Sequence, residues 1–447
     1  MKKGIAPKSP SAQKTEGVTG VREVFGNRNF CRLFFSNLFS GFGQGMTMIG
    51  ISWYLVESTG SASLLGTTML VSSVLAFLIG PYSGTLIDRF SRKAILQIEQ
   101  LGGFTVLAIL TAWGFWNSYH EWIMVFIFLA ATFMFQIHEP AQAAFVQETF
   151  DKKHYNAINS LLEIENQTAL VLAGALAGLL LEKFGLHAVL LLNSLTYLAA
   201  FQMLSGIRYV SALERQGKQE PRTTWVDQFR QSWLYIKGRP GFLMFGISAL
   251  MPFIAVLLVN LLNPVFVSQV LGGDVKIYSL GEVTYSFGAV VAGMAVALIC
   301  RKLGEFPYMV FAFLLMAAAL ILTVAIPKAW IFVLLSAFLG WCNVSTRLIR
   351  QTLYMELVPN RFMGRVMSFL KSIGMLMRLL LIALFTVLID SIGAAVGYLI
   401  LAGLLVVAML GIVVSMRSLI GQAHTSDKEA IGSMPEQERE ANAVIGK

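Results

Sequence analysis

Gly84-Thr85-Leu86-Ile87-Asp88-Arg89-Phe90-Ser91-Arg92-Lys93 is a short charged turn set between two long apolar runs, 64–87 and 94–117. A helix crossing a bilayer needs roughly 20 mostly apolar residues, and both flanking runs reach that length. Outward from this turn, ten further runs qualify: 33–56, 121–145, 157–181, 187–206, 242–267, 278–300, 307–326, 329–349, 364–389 and 394–416. They are continuously apolar and lack the two-residue alternation of membrane strands, so the expected fold is all-α, with twelve transmembrane helices. Hydrophobic residues make up 56% of the chain and charged residues 13%, against roughly a quarter charged in a soluble domain. The principal solvent is therefore a lipid bilayer.

A net charge of +9 in a soluble protein would point to nucleic acid. Its distribution here points to topology instead. With the N-terminus inside, the tails and inward loops carry 27 Lys and Arg, and the outward loops carry three, Lys183, Lys276 and Lys328. This asymmetry places both termini on the cytoplasmic side. The first apolar run is too long for a cleaved signal core, so it should remain in the protein. Cys31, Cys300 and Cys342 lie in or near spans and read as small apolar packing residues rather than a disulfide framework.

The polar stretch 208–240 divides the runs six and six, giving an N-terminal bundle (30–207), a linker and a C-terminal bundle (241–417) between two tails, 1–29 and 418–447. Residues 1–20 and 421–447 lack periodic apolar residues and are expected to be disordered. Glu148 to Ser160 stands 208 residues before Glu356 to Ser368, at the same place in each bundle. That correspondence suggests an internal duplication. Parallel repeats of this kind put a binding site near the midplane, between halves that rock against each other.

The Gly84 to Lys93 turn resembles the cytoplasmic signature of the major facilitator superfamily, G-x-x-x-D-R-x-x-R-K, in its expected place between spans two and three. The stretches Pro140-Ala-Gln-Ala-Ala-Phe145 and Gly364-Arg365-Val-Met-Ser368 are similar to the drug-efflux branch that includes macrolide exporters and enterobactin (siderophore) exporters. The resemblance implies a cytoplasmic gate built from Gly84, Asp88, Arg89, Arg92 and Lys93, with Asp88 engaging the start of span eleven, where Arg365 stands. The corresponding turn of the second half keeps Arg301 and Lys302 but lacks the acid, so such a latch is one-sided. Leu172-Ala-Gly174-Ala175-Leu-Ala-Gly178 in span five resembles the antiporter motif G-P-x-x-G-G with its proline replaced by Ala175. It reads equally as small-residue helix packing.

Ionisable residues inside a membrane are expensive and by default face the protein interior. The spans carry His138, Glu139, Glu163, Glu165, Arg347, Arg350, Lys371 and Arg378. The 208-residue repeat maps Glu139 onto Arg347 and Glu163 onto Lys371, so the first half supplies acid where the second supplies base. Family geometry would set Glu139 facing Arg347 across a cavity, with Glu163 and Lys371 at the seams. Desolvation disfavours a charged carboxylate and a nearby Arg favours it, so a group alternating between these settings can load and release a proton. Glu139, with His138 or Glu163, is the expected coupling group, the alternative being an ion pair that only holds the bundle together. Arg347 and Arg378 can bind an anionic group through paired hydrogen bonds. Asn37 and Gln44 in span one, and Asn260 and Asn263 beside Pro264 in span seven, complete the candidate cavity lining.

The expected function is export of an amphipathic, anionic or drug-like organic compound by alternating access with proton antiport. The expected setting is a bacterial inner membrane and a monomer, with a small-molecule substrate and protons as partners. A lysophospholipid flippase, a metal-ion exporter and a non-transporting receptor on the same fold are the rivals. No nucleotide-binding loop follows a strand and His138 has no partners at metal-ligand spacing, so no cofactor and no enzyme activity are expected.

Overall fold

The computed structural model describes the backbone of residues 23–117, 119–151, 154–209, 240–358 and 360–432. Residues 1–22, 210–239 and 433–447 lie outside them, as do the side chains of 80–86, 88, 156, 240, 360–365, 368 and 417–432.

The described chain is a series of helices, with no strand among the described residues. The first half comprises α1 (Arg28–Thr59), α2 (Ser63–Arg89), α3 (Arg92–Gly114), α4 (Glu121–Thr149) and α5 (Tyr155–Ser205). The second comprises α6 (Pro240–Ser248), α7 (Met251–Val265), α8 (Val275–Leu303), α9 (Glu305–Ala325), α10 (Ala329–Leu357) and α11 (Asn360–Gly432). Among the described residues, eight helical segments are long and apolar enough to cross a membrane. Local sequence explains several boundaries. Asn27 accepts from the Asn29 amide at 2.9 Å to start α1, and Asp274 accepts from the Ile277 amide at 3.2 Å to start α8. Gly60 ends α1 in the left-handed region, at φ 64°.

The runs 157–181 and 187–206 form one 51-residue element, broken at Gly185 (φ 74°). The runs 364–389 and 394–416 lie in one 73-residue element, broken at Gly393 (φ 76°). A side chain would strain both breaks. Gly185 and Gly393 are 208 residues apart, the offset read from the sequence. α11 also continues to Gly432, where a disordered tail is expected. The segment 418–432 is free of proline, and Ala, Gln, Lys and Glu there favour helix.

Span seven is divided at Pro252, which lacks the amide that would continue α6 into α7. Pro264 is followed by a π-helical turn, Phe266–Val270.

The halves meet along two seams. At one, α5 approaches α8: a Cβ on Gly174 would lie 2.9 Å from Val283 Cγ2, and one on Gly178 would lie 3.0 Å from the Lys276 Cα. The Ser279 hydroxyl sits between the two glycines, donating to the Gly174 carbonyl, while the Gly178 amide donates to its oxygen at 3.1 Å. At the other, α2 approaches α11, and a side chain on Gly66 would overlap Thr386. Gly178 and Thr386 are again 208 residues apart. Each seam thus pairs a glycine of the first half with a hydroxyl residue of the second. The Gly174/Gly178 motif has a direct structural use as the close approach of the two bundles.

Candidate functional site

The connections after α1, within α5, before α8 and within α11 gather at one end of the bundle, here termed the glycine-turn end. There the halves are joined by several contacts. The Asp390 carboxylate accepts from the Ser61 hydroxyl at 2.6 Å and the Ala62 amide at 2.9 Å, and also from the Ser63 hydroxyl. Asp390 therefore caps α2 from across the seam. Gln269 Nε2 donates to the Gly60 carbonyl at 3.1 Å. Lys276 pairs with Glu182 at 2.5 Å. Trp53 stacks on Tyr278 with ring centroids 6.2 Å apart.

Just inside this closure lies a polar layer in the second half. Tyr398 donates to Asn263 Oδ1 at 2.5 Å, and Asn263 Nδ2 reaches Glu282 at 3.4 Å. Asn343 donates to the Tyr285 hydroxyl at 2.7 Å. Deeper still, Arg378 lies twelve residues from Asp390, about 18 Å along the helix axis at 1.5 Å per residue. That is close to the middle of a roughly 30 Å hydrocarbon core.

Toward the opposite end the halves are joined by an ion pair, Arg347 Nη2 to Glu163 Oε1 at 2.8 Å, with side chains 38% and 48% exposed. Gln167 also donates to Glu163 at 3.0 Å. At similar depth, inside the first half, His138 Nδ1 lies 2.9 Å from Glu99 Oε2. Gln142 hydrogen-bonds the same ring, and Glu165 is electrostatically coupled to it. Glu165, only 4% exposed, also lies against α1, with Asn37 beside it. Helices α1, α3, α4 and α5 therefore converge on one buried acid–imidazole–acid cluster.

Arg347 finds its acid in Glu163, not in Glu139 as expected. Glu139 is exposed and makes no ion pair among the described residues. The reason is geometric: α5 packs along α8 at the seam, whereas α4 packs against α1, α2 and α3 of its own half. Lys371 is exposed and Arg378 half-buried. Asn37 and Asn263 are buried, and Asn263 serves Tyr398 and Glu282. Asn260 is exposed. Gln44 reaches the Ala131 carbonyl at 3.4 Å. Arg350 donates to the Ala249 carbonyl at 2.9 Å, satisfying an acceptor at the break between α6 and α7.

Of the charged-turn residues, Arg92 pairs with Glu148 at 2.8 Å. Lys93 donates to the carbonyls of Ser205 (3.1 Å) and Ile207 (2.7 Å) at the end of α5. Both bonds lie within the first half. Arg89 is exposed. The side chains of Gly84, Asp88 and Arg365 lie outside the described residues, so the Asp88 latch does too.

Glu99, Glu282 and Asp390 went unread in the sequence. Glu99 and Glu282 stand inside apolar runs, and the rule applied to His138 would have found them. The repeat directed attention to opposed charges, and these two map onto Pro307 and Val74. Among the described residues no three His, Cys, Asp or Glu side chains are placed to hold a metal ion.

The pattern of the Major Facilitator Superfamily matches residues 33–273, more than half the chain. The chain belongs to the Major Facilitator Superfamily. Within the superfamily it is similar to Macrolide efflux protein A of Streptococcus pyogenes, 21% identical over 379 residues, covering 82% of this chain and 92% of the relative. It is also similar to the Staphyloferrin A transporter of Staphylococcus aureus, 21% identical over 279 residues, covering 61% and 68%. Among solved superfamily folds, a bacterial homologue of the iron transporter ferroportin aligns with a TM-score of 0.63 at 15% identity, covering 88% of this chain and 98% of that one. A D-xylose-proton symporter aligns with a TM-score of 0.65 at 14% identity, covering 86% and 96%. The superfamily assignment makes this multi-pass membrane protein a transporter of small molecules rather than an enzyme.

Proposed function

We propose that this chain is a secondary active transporter of twelve spans that exports an amphipathic organic compound by alternating access, in exchange for a proton. The observation that carries the reading is the unequal closure of the two ends. Among the described residues, specific hydrogen bonds and an aromatic stack join the halves at the glycine-turn end, whereas toward the other end the charged contact between them is a half-exposed ion pair. The excess of Lys and Arg at that other end assigns it to the cytoplasm, so the protein rests closed to the outside, as a monomer in a bacterial inner membrane. Efflux as the direction follows the macrolide-exporting relative.

The coupling role moves from Glu139 to Glu165 with His138 and Glu99. These groups form one buried cluster in the wall of the first half, and its charge changes when a proton arrives. One charge crossing 100 mV supplies about 2.3 kcal/mol, close to a fifty-fold gradient at 1.4 kcal/mol per tenfold. The Glu163–Arg347 pair has a repeat mate, Lys371 with Glu139, which is open here. Both pairs lie at the same end of the bundle, because parallel repeats share an axis along the membrane normal, so rocking that closes this end brings the second pair together.

Inverted proteoliposomes with an imposed pH gradient test the coupling, using uptake of a pyrene-labelled amphiphile. Glu165→Gln should abolish gradient-driven accumulation while leaving binding and gradient-free exchange. Unchanged gradient dependence in that variant refutes the coupling role.

A further inference from the structure

We propose that Arg378 recognises the oxyanion, a carboxylate or a phosphate, of an amphipathic organic anion. The proposal rests on the transport reading above and names its substrate class.

The faces of α11 place this side chain. Leu376, Leu380, Leu384 and Val387 are 50–78% exposed and form the lipid-facing stripe. Lys371, Arg378 and Phe385, spaced by seven, fall on the opposite side together with Ile382 and Ile389. Phe385, Ile382 and Ile389 are buried, and toward the glycine-turn end this side is shut against α2 at the Gly66–Thr386 contact. Two turns deeper the same side carries Arg378, half-buried, so its position on the helix turns it from the lipid-facing stripe toward the interior of the bundle. The guanidinium thus stands near the bilayer midplane, below the sealed Gly66–Thr386 contact.

Its charge has no counterpart. Among the described membrane-embedded groups, Arg347 is paired with Glu163 and Arg350 is bound to a carbonyl. Glu282 is engaged by Asn263, and Glu99 by His138. Arg378 Nε is buried with no hydrogen-bond partner. Lys371, on the same side about 10.5 Å away by helical rise, adds a second positive charge with no ion pair among the described residues. An unpaired guanidinium at this depth is retained against a high desolvation penalty. Its planar fork suits a carboxylate or phosphate, which it can hold through two parallel hydrogen bonds. A neutral or cationic compound would leave the charge unpaired. An apolar body attached to the anion can rest against the surrounding aliphatic side chains.

One scaffold with three charges tests this: pyrenebutyrate, pyrenebutanol and pyrenebutylamine, titrated into the full-length protein in nanodiscs and read by tryptophan-to-pyrene energy transfer. The anion should bind at least tenfold more tightly than the alcohol, and the amine most weakly. Arg378→Gln should bring anion and alcohol to equal affinity, with Arg378→Lys intermediate. Equal affinities in the unaltered protein overturn the proposal without any variant, as does a preference that survives Arg378→Gln. Competition by oleoyl lysophosphatidate against pyrenebutyrate identifies the source: Arg378-dependent displacement supports an oxyanion on a lipid headgroup, and its absence with pyrenebutyrate bound supports a free organic acid. Arg378-dependent binding without translocation would refute transport and leave the anion site standing. Translocation of pyrenebutanol with no Arg378-dependent preference for the anion would do the reverse.

Discussion

Replacing Asp390 by Ala should open the glycine-turn end. In the closed form this carboxylate accepts from the Ser61 hydroxyl, the Ala62 amide and the Ser63 hydroxyl, three donors at the start of a helix in the other half. Removing a helix N-cap destabilises by about 0.5–2 kcal/mol, and hydrogen bonds to a charged group fall in the range of about 1.5–3 kcal/mol when buried. Asp390 is exposed, so water replaces part of what is lost and the capping range is the better guide. A shift of about 1–2 kcal/mol changes the ratio of closed to open molecules by roughly 5–30-fold. Spin labels at Trp116 and Trp330, both exposed near this end of α3 and α10, would report the change by pulsed dipolar spectroscopy, after removal of Cys31, Cys300 and Cys342. The expected result is a longer-distance population that grows in Asp390→Ala. Ser61→Ala/Ser63→Ala should reproduce most of it, and the combined variant should add little, because both changes delete the same bonds. An unchanged distance distribution in Asp390→Ala, or full additivity, would refute the latch.

Gly178→Leu should prevent the close approach of α5 to α8, because even a Cβ there lies 2.9 Å from Ser279 Cβ; labels at the same two sites should show the open distance, and retention of the closed one would count against the seam. Arg350→Ala should leave the Ala249 carbonyl unpaired at the α6–α7 break, costing about 1–3 kcal/mol; a lower melting temperature in detergent, with the substrate-binding preference kept, is the expected readout. Glu139→Lys and Lys371→Glu should each slow exchange in proteoliposomes, and the double swap should recover it, because the repeat makes these residues the mate of the Glu163–Arg347 pair; a double variant no faster than either single one would exclude that pair.

The all-helical class was legible in the sequence because it depends on run length and composition. The 208-residue offset, drawn from Glu148 and Glu356, also relates Gly185 to Gly393 and Gly178 to Thr386. Contacts across the fold were less accessible. Arg347 could be placed inside the membrane from hydropathy, but choosing between Glu139 and Glu163 needed the relative position of α4, α5 and α10. Asp390 was invisible for a related reason: at the end of an apolar run an acid reads as an ordinary solvated turn, and only the seam brings it 2.6 Å from Ser61, 329 residues away. His138 looked isolated because its carboxylate partners come from α3 and α5, 39 residues before it and 27 after.

The repeat supplies geometry, and departures from it supply direction. Two identical halves would carry equal charges at equivalent positions, and like charges would meet across both seams. Here the first half offers Glu139 and Glu163 where the second offers Arg347 and Lys371, so both possible cross-seam pairs are attractive. With Glu163–Arg347 formed at 2.8 Å and its mate open, the two seams are unequal in this structure. At the glycine-turn end the two seams also differ: Asp390 caps a helix at one, whereas its repeat equivalent at the other, Glu182, pairs with Lys276. The two states therefore need not have equal energy. The side on which substrate is collected depends on the small difference between a three-donor cap and an exposed ion pair, and a bound anion or proton is large enough on this scale to reverse it.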